Sequence, residues 1–147
     1  MPRLAKPMLF ASPEECETAF YEALQNADTD AMADLWLQDD EVCCTHPGAA
    51  RIVGYAGVRA SWSSILGAGP VSIRTLARRS FESPSLAVTN LVEEVAVVQG
   101  NRRQIVHVLA SNAYAKTPSG WKMVMHMGAA APEGRLADAE PLPGTVH

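Results

Sequence analysis

His46 closes the short run Val42-Cys43-Cys44-Thr45 and stands immediately before Pro47-Gly48. An imidazole has an unperturbed pKa of about 6.5, so at the end of a strand it has the chemistry of a general base. In the same place it can equally hydrogen-bond a turn carbonyl and do no chemistry. Asn112 offers an amide donor and acceptor within a long alternating stretch. Alternation puts Val108, Ala110 and Tyr114 on its face and His107, Leu109 and Ser111 on the other. Asn112 can assist an oxyanion or satisfy a buried neighbour. Tyr114 brings a hydroxyl to the rim or packs with its tip in water.

Glu93 and Glu94 are adjacent and must face opposite ways. The parity that puts Val92 inside makes Glu94 the inward carboxylate, a partner for His46, His126 or Arg74. Near the C-terminus, alternation groups Trp121, Met123, Met125 and Met127, either a soft lining for an apolar ligand or ordinary core. It sends His126 to the other face with Lys122 and Val124, unless a bulge reverses the parity and brings His126 inward. The cysteines are Cys16, Cys43 and Cys44. An odd count, with two neighbours facing opposite ways, argues against a disulfide framework. Cys-x-x-Cys and His-x-x-x-His spacings are absent, so no metal is expected, and no motif asks for a cofactor.

Short helices and long strands must position these groups. Met1 to Ala11 carries Pro2 and Pro7, and residues 1–12 read as an N-terminal arm. Ser12 is a helix N-cap, with Pro13 at the first helical position and Glu15 completing a capping box. Ala19, Phe20, Ala23, Leu24 and Ala27 then recur at helical spacing, which leaves Glu14, Glu17, Glu22 and Gln25 mostly outside. Asp28 or Thr29 caps a short second helix carrying Met32, Leu35 and Trp36. A third helix covers Tyr55 to Leu66 with Val58, Trp62, Ile65 and Leu66 as its stripe. Trp62 packs that helix onto the sheet, with its indole N–H within reach of a ligand or a side chain.

After Gly67-Ala68-Gly69-Pro70 the period changes to two. Strands are expected at Val71 to Glu82, Leu86 to Gln99, Arg102 to Lys116 and Trp121 to Ala129, joined by tight turns. The fold class is α+β. Twist must curl strands of this length into a cone-shaped antiparallel sheet, which three helices close over a pocket. The domain spans 13–131, and 132–147 reads as a flexible tail. Apolar residues make up 48% and charged residues 19%, a globular balance that excludes disorder. The formal net charge of −4 and the lack of a basic run argue against a nucleic-acid partner. The N-terminus has no signal-peptide core, and no apolar run reaches the roughly 18 residues of a membrane span. A cytoplasmic protein is expected.

Several strings, in order, resemble the nuclear transport factor two-like superfamily, and within it the SnoaL-like and ketosteroid-isomerase-like branches. They are Phe20-Tyr21-Glu22-Ala23-Leu24 with Asp28-x-Asp30-Ala31-Met32, Asp39-Asp40 before the strand ending in His46-Pro47-Gly48, Gly54-x-x-Gly57-Val58-Arg59, and Gly120-Trp121-Lys122-Met123-Val124. The resemblance spans about residues 13 to 130. It implies a cone-shaped α+β barrel, a homodimer through the outer sheet face, and a hydrophobic small molecule inside. In ketosteroid-isomerase-like members an aspartate before this proline moves the proton, and His46 holds that position here. The oxyanion tyrosine falls at Phe20, an aromatic hydroxyl of the third helix at Trp62, and the protonated aspartate at Asn112. Tyr21, one residue on, points about 100° away from Phe20. The tyrosine–aspartate pair of steroid isomerases is therefore absent. His46 and Asn112 are the catalytic candidates, and Phe20, Trp62, Glu94, Tyr114, Met125 and Met127 the ligand-binding ones. Two functions fit: a cofactor-independent isomerase, cyclase or lyase acting on an apolar carbonyl compound, or a non-catalytic ligand-binding or dimeric assembly module.

Overall fold

The computed structural model describes residues 9–132. Ser12 caps α1 (Pro13–Asn26) by accepting from the Glu15 backbone N–H at 3.1 Å, while the Glu15 carboxylate accepts from Ala11 N–H at 2.9 Å. This is a capping box displaced by one residue at its return bond. Asp28 caps α2 (Thr29–Leu35) in the same way through Ala31 N–H. Two short strands follow, β1 (Cys43–Thr45) and β2 (Ile52–Val53), then α3 (Tyr55–Gly67). The long strands are β3 (Ser72–Glu82), β4 (Leu86–Gln99), β5 (Arg102–Thr117) and β6 (Gly120–Ala130).

The six strands form one sheet in the order β2-β1-β6-β5-β4-β3. The β3–β6 meander is antiparallel and β1 joins β6 in parallel, so the sheet is mixed at that edge. The helices cover its concave face. Phe20, Leu24, Met32, Leu35, Val58, Trp62 and Leu66 from the helices meet Leu91, Ala110, Tyr114 and Met123 from the strands in one buried cluster.

Two register shifts bend this sheet. In β3 the pairing with β4 jumps between Leu76 and Arg79, and Ala77 takes a left-handed φ of 52°. In β6 the pairing with β5 jumps at Ala113/Tyr114, because Met125 pairs with Ala113 and Met123 with Tyr114, leaving Val124 extra. Each bulge reverses the facing of every later residue on its strand.

The stretch expected to be an arm is packed at its end: Phe10 is buried and its carbonyl accepts from Trp121 N–H at 2.9 Å. The rest of the arm, residues 1–8, and the tail from 133 lie outside the described residues. Phe10 makes Gly120 irreplaceable. Gly120 has φ +87°, and a Cβ there would sit 2.8 Å from the Phe10 carbonyl oxygen. Gly120→Ala therefore combines backbone strain with a backbone clash. It is expected to destabilise the protein by about 2–4 kcal/mol, read as a lower urea midpoint at unchanged slope.

Candidate functional site

The polar centre of the cone begins at Glu17, on the face of α1 that also carries Phe20, Tyr21 and Leu24. All four are buried. The expectation that Glu17 lies outside is thus corrected: a helical stripe wide enough to cover a curved sheet includes its position. Thr89 and Tyr114 hydroxyls donate to Glu17 Oε2, the latter at 2.5 Å, and Arg78 Nε donates to Oε1 at 2.8 Å. Arg78 reaches inward because it follows the bulge at Ala77. Burial pushes the Glu17 carboxyl up, but the hydrogen bonds from Thr89, Tyr114 and Arg78 outweigh it and hold the group below its ordinary value. Glu17 is the ionised acid of the interior.

Tyr21, one turn on from Glu17, belongs to the same interior. Its hydroxyl donates to Glu93 Oε2 at 2.8 Å and accepts from Asn112 Nδ2 at 3.0 Å. Asn112 Nδ2 also lies 3.4 Å from Glu17 Oε2, and Asn112 Oδ1 lies 2.6 Å from His126 Nδ1. One connected network therefore joins Glu17, Tyr21, Glu93, Asn112, Tyr114 and His126. Burial pushes the Glu93 carboxyl up to about 7, with the Glu17 charge adding to the rise. Burial also pushes the Tyr21 and Tyr114 hydroxyls up, so both stay protonated donors. His126 is driven down to about 3, first by burial and then by His46, and is neutral.

Beyond His126 the aromatic rings continue. Its ring centroid lies 5.1 Å from Phe20 and 5.7 Å from Trp62, and Trp62 meets His46 edge-on at 4.7 Å. His46 Nε2 is 3.0 Å from Ser61 Oγ on α3 and 3.7 Å from Cys44 Sγ. Burial lowers the His46 pKa, so this half-buried ring is neutral too. A cleft of about 350 Å³ opens between α1 and β3 and is lined by Glu17, Tyr21, Gln25, Thr75 and Arg78 among others. It reaches the network at its Glu17–Tyr21 edge.

The expected site residues divide into two groups. His46, Phe20, Trp62, Asn112 and Tyr114 lie together with His126 on the inner side. No hydrogen bond joins His46 to Asn112: Asn112 meets His126, while His46 meets Ser61 and the Trp62 ring. Glu94, Met125 and Met127 do not join them. On β4 the inner residues are Ala87, Thr89, Leu91 and Glu93, so Glu93 is the inward carboxylate. Val92 is buried although it faces out, which is why parity counted from it fails. Glu94 instead binds Arg74 at 2.6 Å and His107 at 3.2 Å on the outer face. Met125 and Met127 turn outward, and His126 inward, because Val124 is bulged. Sequence reasoning missed Glu17 and Tyr21 as interior groups, and Arg78 as the exposed cation that reaches Glu17. The i, i+4 spacing of Glu17 and Tyr21 is the signal that links the first two. Among the described residues no cluster of His, Cys, Asp and Glu suits a metal ion, and no helix is long and apolar enough to cross a membrane.

A curved sheet closed by helices on its concave face, with polar groups gathered inside, defines the α+β cone of the NTF2-like, cystatin-like folds. Residues 14–132 match the SnoaL-like domain model, and the chain belongs to that family. A protein from Thiobacillus denitrificans, provisionally named a calcium/calmodulin-dependent protein kinase type II association domain, is 31% identical. That match covers 85% of this chain and 99% of the other, with a TM-score of 0.77. A provisionally named dehydratase of the NTF2-like family from Streptomyces avermitilis shares the fold at 21% identity, covering 79% of this chain and 91% of the other, TM-score 0.71. So does a provisionally named ketosteroid isomerase from Parabacteroides distasonis, at 17% identity, 82% and 89% coverage and TM-score 0.67. No curated protein matches the chain.

The two interior acids act oppositely on stability. Glu17, lowered in the fold, stabilises above its unfolded pKa, and this is lost as pH falls through its folded pKa. Glu93, raised from 4.5 to about 7, costs stability as pH rises between those values, because the unfolded chain ionises first. Glu93→Gln is therefore expected to be more stable than the parent at pH 8, by roughly 3 kcal/mol at most, with the advantage shrinking toward pH 5. Urea unfolding of both proteins at pH 5, 6, 7 and 8 reads this directly.

Proposed function

We propose that the protein takes an apolar carbonyl compound into the cone and moves a proton beside that carbonyl without a cofactor, as an isomerase, cyclase or lyase does. The observation that carries this reading is the buried network of Glu17, Tyr21, Glu93, Asn112, Tyr114 and His126, which touches a cleft at Tyr21. A core built only for stability gains little from two carboxylates and a histidine out of water. Acids pushed apart in pKa by their surroundings are the usual mark of acid–base work. Glu93, raised to about 7, suits a group that accepts and returns a proton near neutral pH. Tyr21 donates its one hydroxyl hydrogen to Glu93, and that hydrogen turns to a substrate oxygen as Glu93 takes up the substrate's proton. Asn112 orients Tyr21, and His46, neutral at the far side of Trp62, is the second candidate base. The dehydratase and isomerase names of the structural neighbours agree with this class.

The test is a thermal-shift panel of hydrophobic ketones and enones, followed by NMR of hydrogen–deuterium exchange at the carbon beside the carbonyl of each binder. Protein-dependent exchange is expected, and Glu93→Gln should slow it by about 100-fold or more while the thermal shift persists. Exchange no faster than in buffer would defeat the catalytic reading.

A second reading, an assembly module, rests on the outer sheet face. Phe81, Val88, Ile105, Leu109 and Met127 are large, apolar and exposed there, an extent of apolar surface that marks association in soluble proteins. The relative that is 31% identical is named for an association domain. A homodimer through this face is expected, and Leu109→Glu should convert it to a monomer by light scattering. A monomeric parent protein at tens of micromolar would remove this reading.

A further inference from the structure

The Trp62 indole nitrogen is buried and has no hydrogen-bond partner among the described residues. A buried donor left unpaired loses its hydration with nothing in return, and its neighbours show what would satisfy it. Asn112 fixes the state of His126. The amide atom facing Glu17 must be the nitrogen, because an ionised carboxylate only accepts. Asn112 Oδ1 therefore faces His126 Nδ1 at 2.6 Å and requires a hydrogen on it. A neutral ring protonated at Nδ1 has a lone pair at Nε2. The Trp62 and His126 rings lie 5.7 Å apart by centroid, with Phe20 against both. One oxygen about 3 Å from each nitrogen would serve both the indole donor and the histidine lone pair.

We propose that Trp62 and His126 form a hydroxyl-binding site: the indole N–H donates to a ligand oxygen whose own hydrogen goes to His126 Nε2. The ligand class is an apolar alcohol, a phenol or an enol, with its hydrocarbon body against Phe20. A ketone satisfies only the indole. A carboxylate sets its charge against the histidine lone pair. An ammonium group meets the indole donor rather than an acceptor. The site deepens the proposed function, on which it rests, by naming the substrate's second group: the molecule whose carbonyl is handled at Tyr21 and Glu93 carries a hydroxyl, or its enol form, at the Trp62 end.

The experiment uses the full chain labelled with nitrogen-15, titrated with phenol and cyclohexanol and with the matched ethers anisole and methoxycyclohexane. The Trp62 indole resonance is assigned from Trp62→Phe or, if that variant does not fold, from its through-space contacts to Phe20. Both alcohols are expected to move this resonance saturably, and the ethers, which offer His126 no hydrogen, to bind at least tenfold more weakly. The proposal is overturned if the alcohols leave the Trp62 indole unmoved, or if ethers move it equally. If a probe shifts the Gln25 side-chain amide at the α1–β3 cleft but not the Trp62 indole, the interior still takes a ligand and only the hydroxyl site fails.

Discussion

The burial of the Glu17 carboxylate is the constraint on which the rest of the interior depends. A carboxylate inside a small domain is tolerated only when its oxygens are fully served. Here three elements serve them: β3 through Arg78, β4 through Thr89, and β5 through Tyr114. α1 is thereby docked on the sheet in one rotation and one register. That rotation places Tyr21 against Glu93 and Phe20 against Trp62 and His126. An apolar side chain at position 17 could pack the same helix, but it would not select among neighbouring rotations by hydrogen bonding. Specificity of this kind is one known use of a buried ionic group, kept at some expense in stability.

The bulges do the complementary work from the sheet. Without the extra residue at Ala77, Arg78 would stand on the outer face and Glu17 would lose its cation. Without the extra residue at Val124, His126 would face outward and Asn112 Oδ1 would lose its donor. Both irregularities sit where the polar network meets the sheet, and both aim a side chain that the regular pleat would aim elsewhere. Ala77 carries the strain openly, in a left-handed φ that alanine takes reluctantly.

These features explain what could be read from the chain in advance. The helices and strands were legible almost to the residue, because Ser12-Pro13, Asp28, Gly54, the Gly67 to Pro70 turn, Gly100-Asn101 and Ser119-Gly120 punctuate it, and local punctuation needs no tertiary knowledge. The inward face of β5 was legible too: alternation through Val108, Ala110, Asn112 and Tyr114 is unbroken. Strand parity failed wherever a bulge intervened, at Met125 and Met127, since an inserted residue is a tertiary event with no sequence mark in Met123-Val124-Met125-His126. It failed at Glu94 for a different reason. Val92 is apolar and buried on the outer side, so hydrophobicity there did not report the concave face. Glu17 escaped because a charged residue on a helix is assigned to water by default, and only its partners on three distant strands overturn that.

The two interior carboxylates must be understood together. Glu17 holds Arg78 and three further hydrogen-bond donors, so it stays ionised. Its charge then bears on Glu93, which has Tyr21 as its hydrogen-bond donor and no cation beside it among the described residues. The protein thus fixes one charge permanently, while burial, with that charge adding to it, keeps the other acid near its proton at neutral pH. Asn112 couples the two sites, donating to both Glu17 and the Tyr21 hydroxyl. Because it must donate on that side, it must accept on the other, and this sets the proton on His126 Nδ1. The hydrogen bonds therefore run with a single sense, from His126 through Asn112 and Tyr21 to Glu93. A change of charge at Glu93 is felt at the far ring through an unbroken set of donors rather than through space alone. That ordering follows from one fact of charge, that Glu17 can only accept.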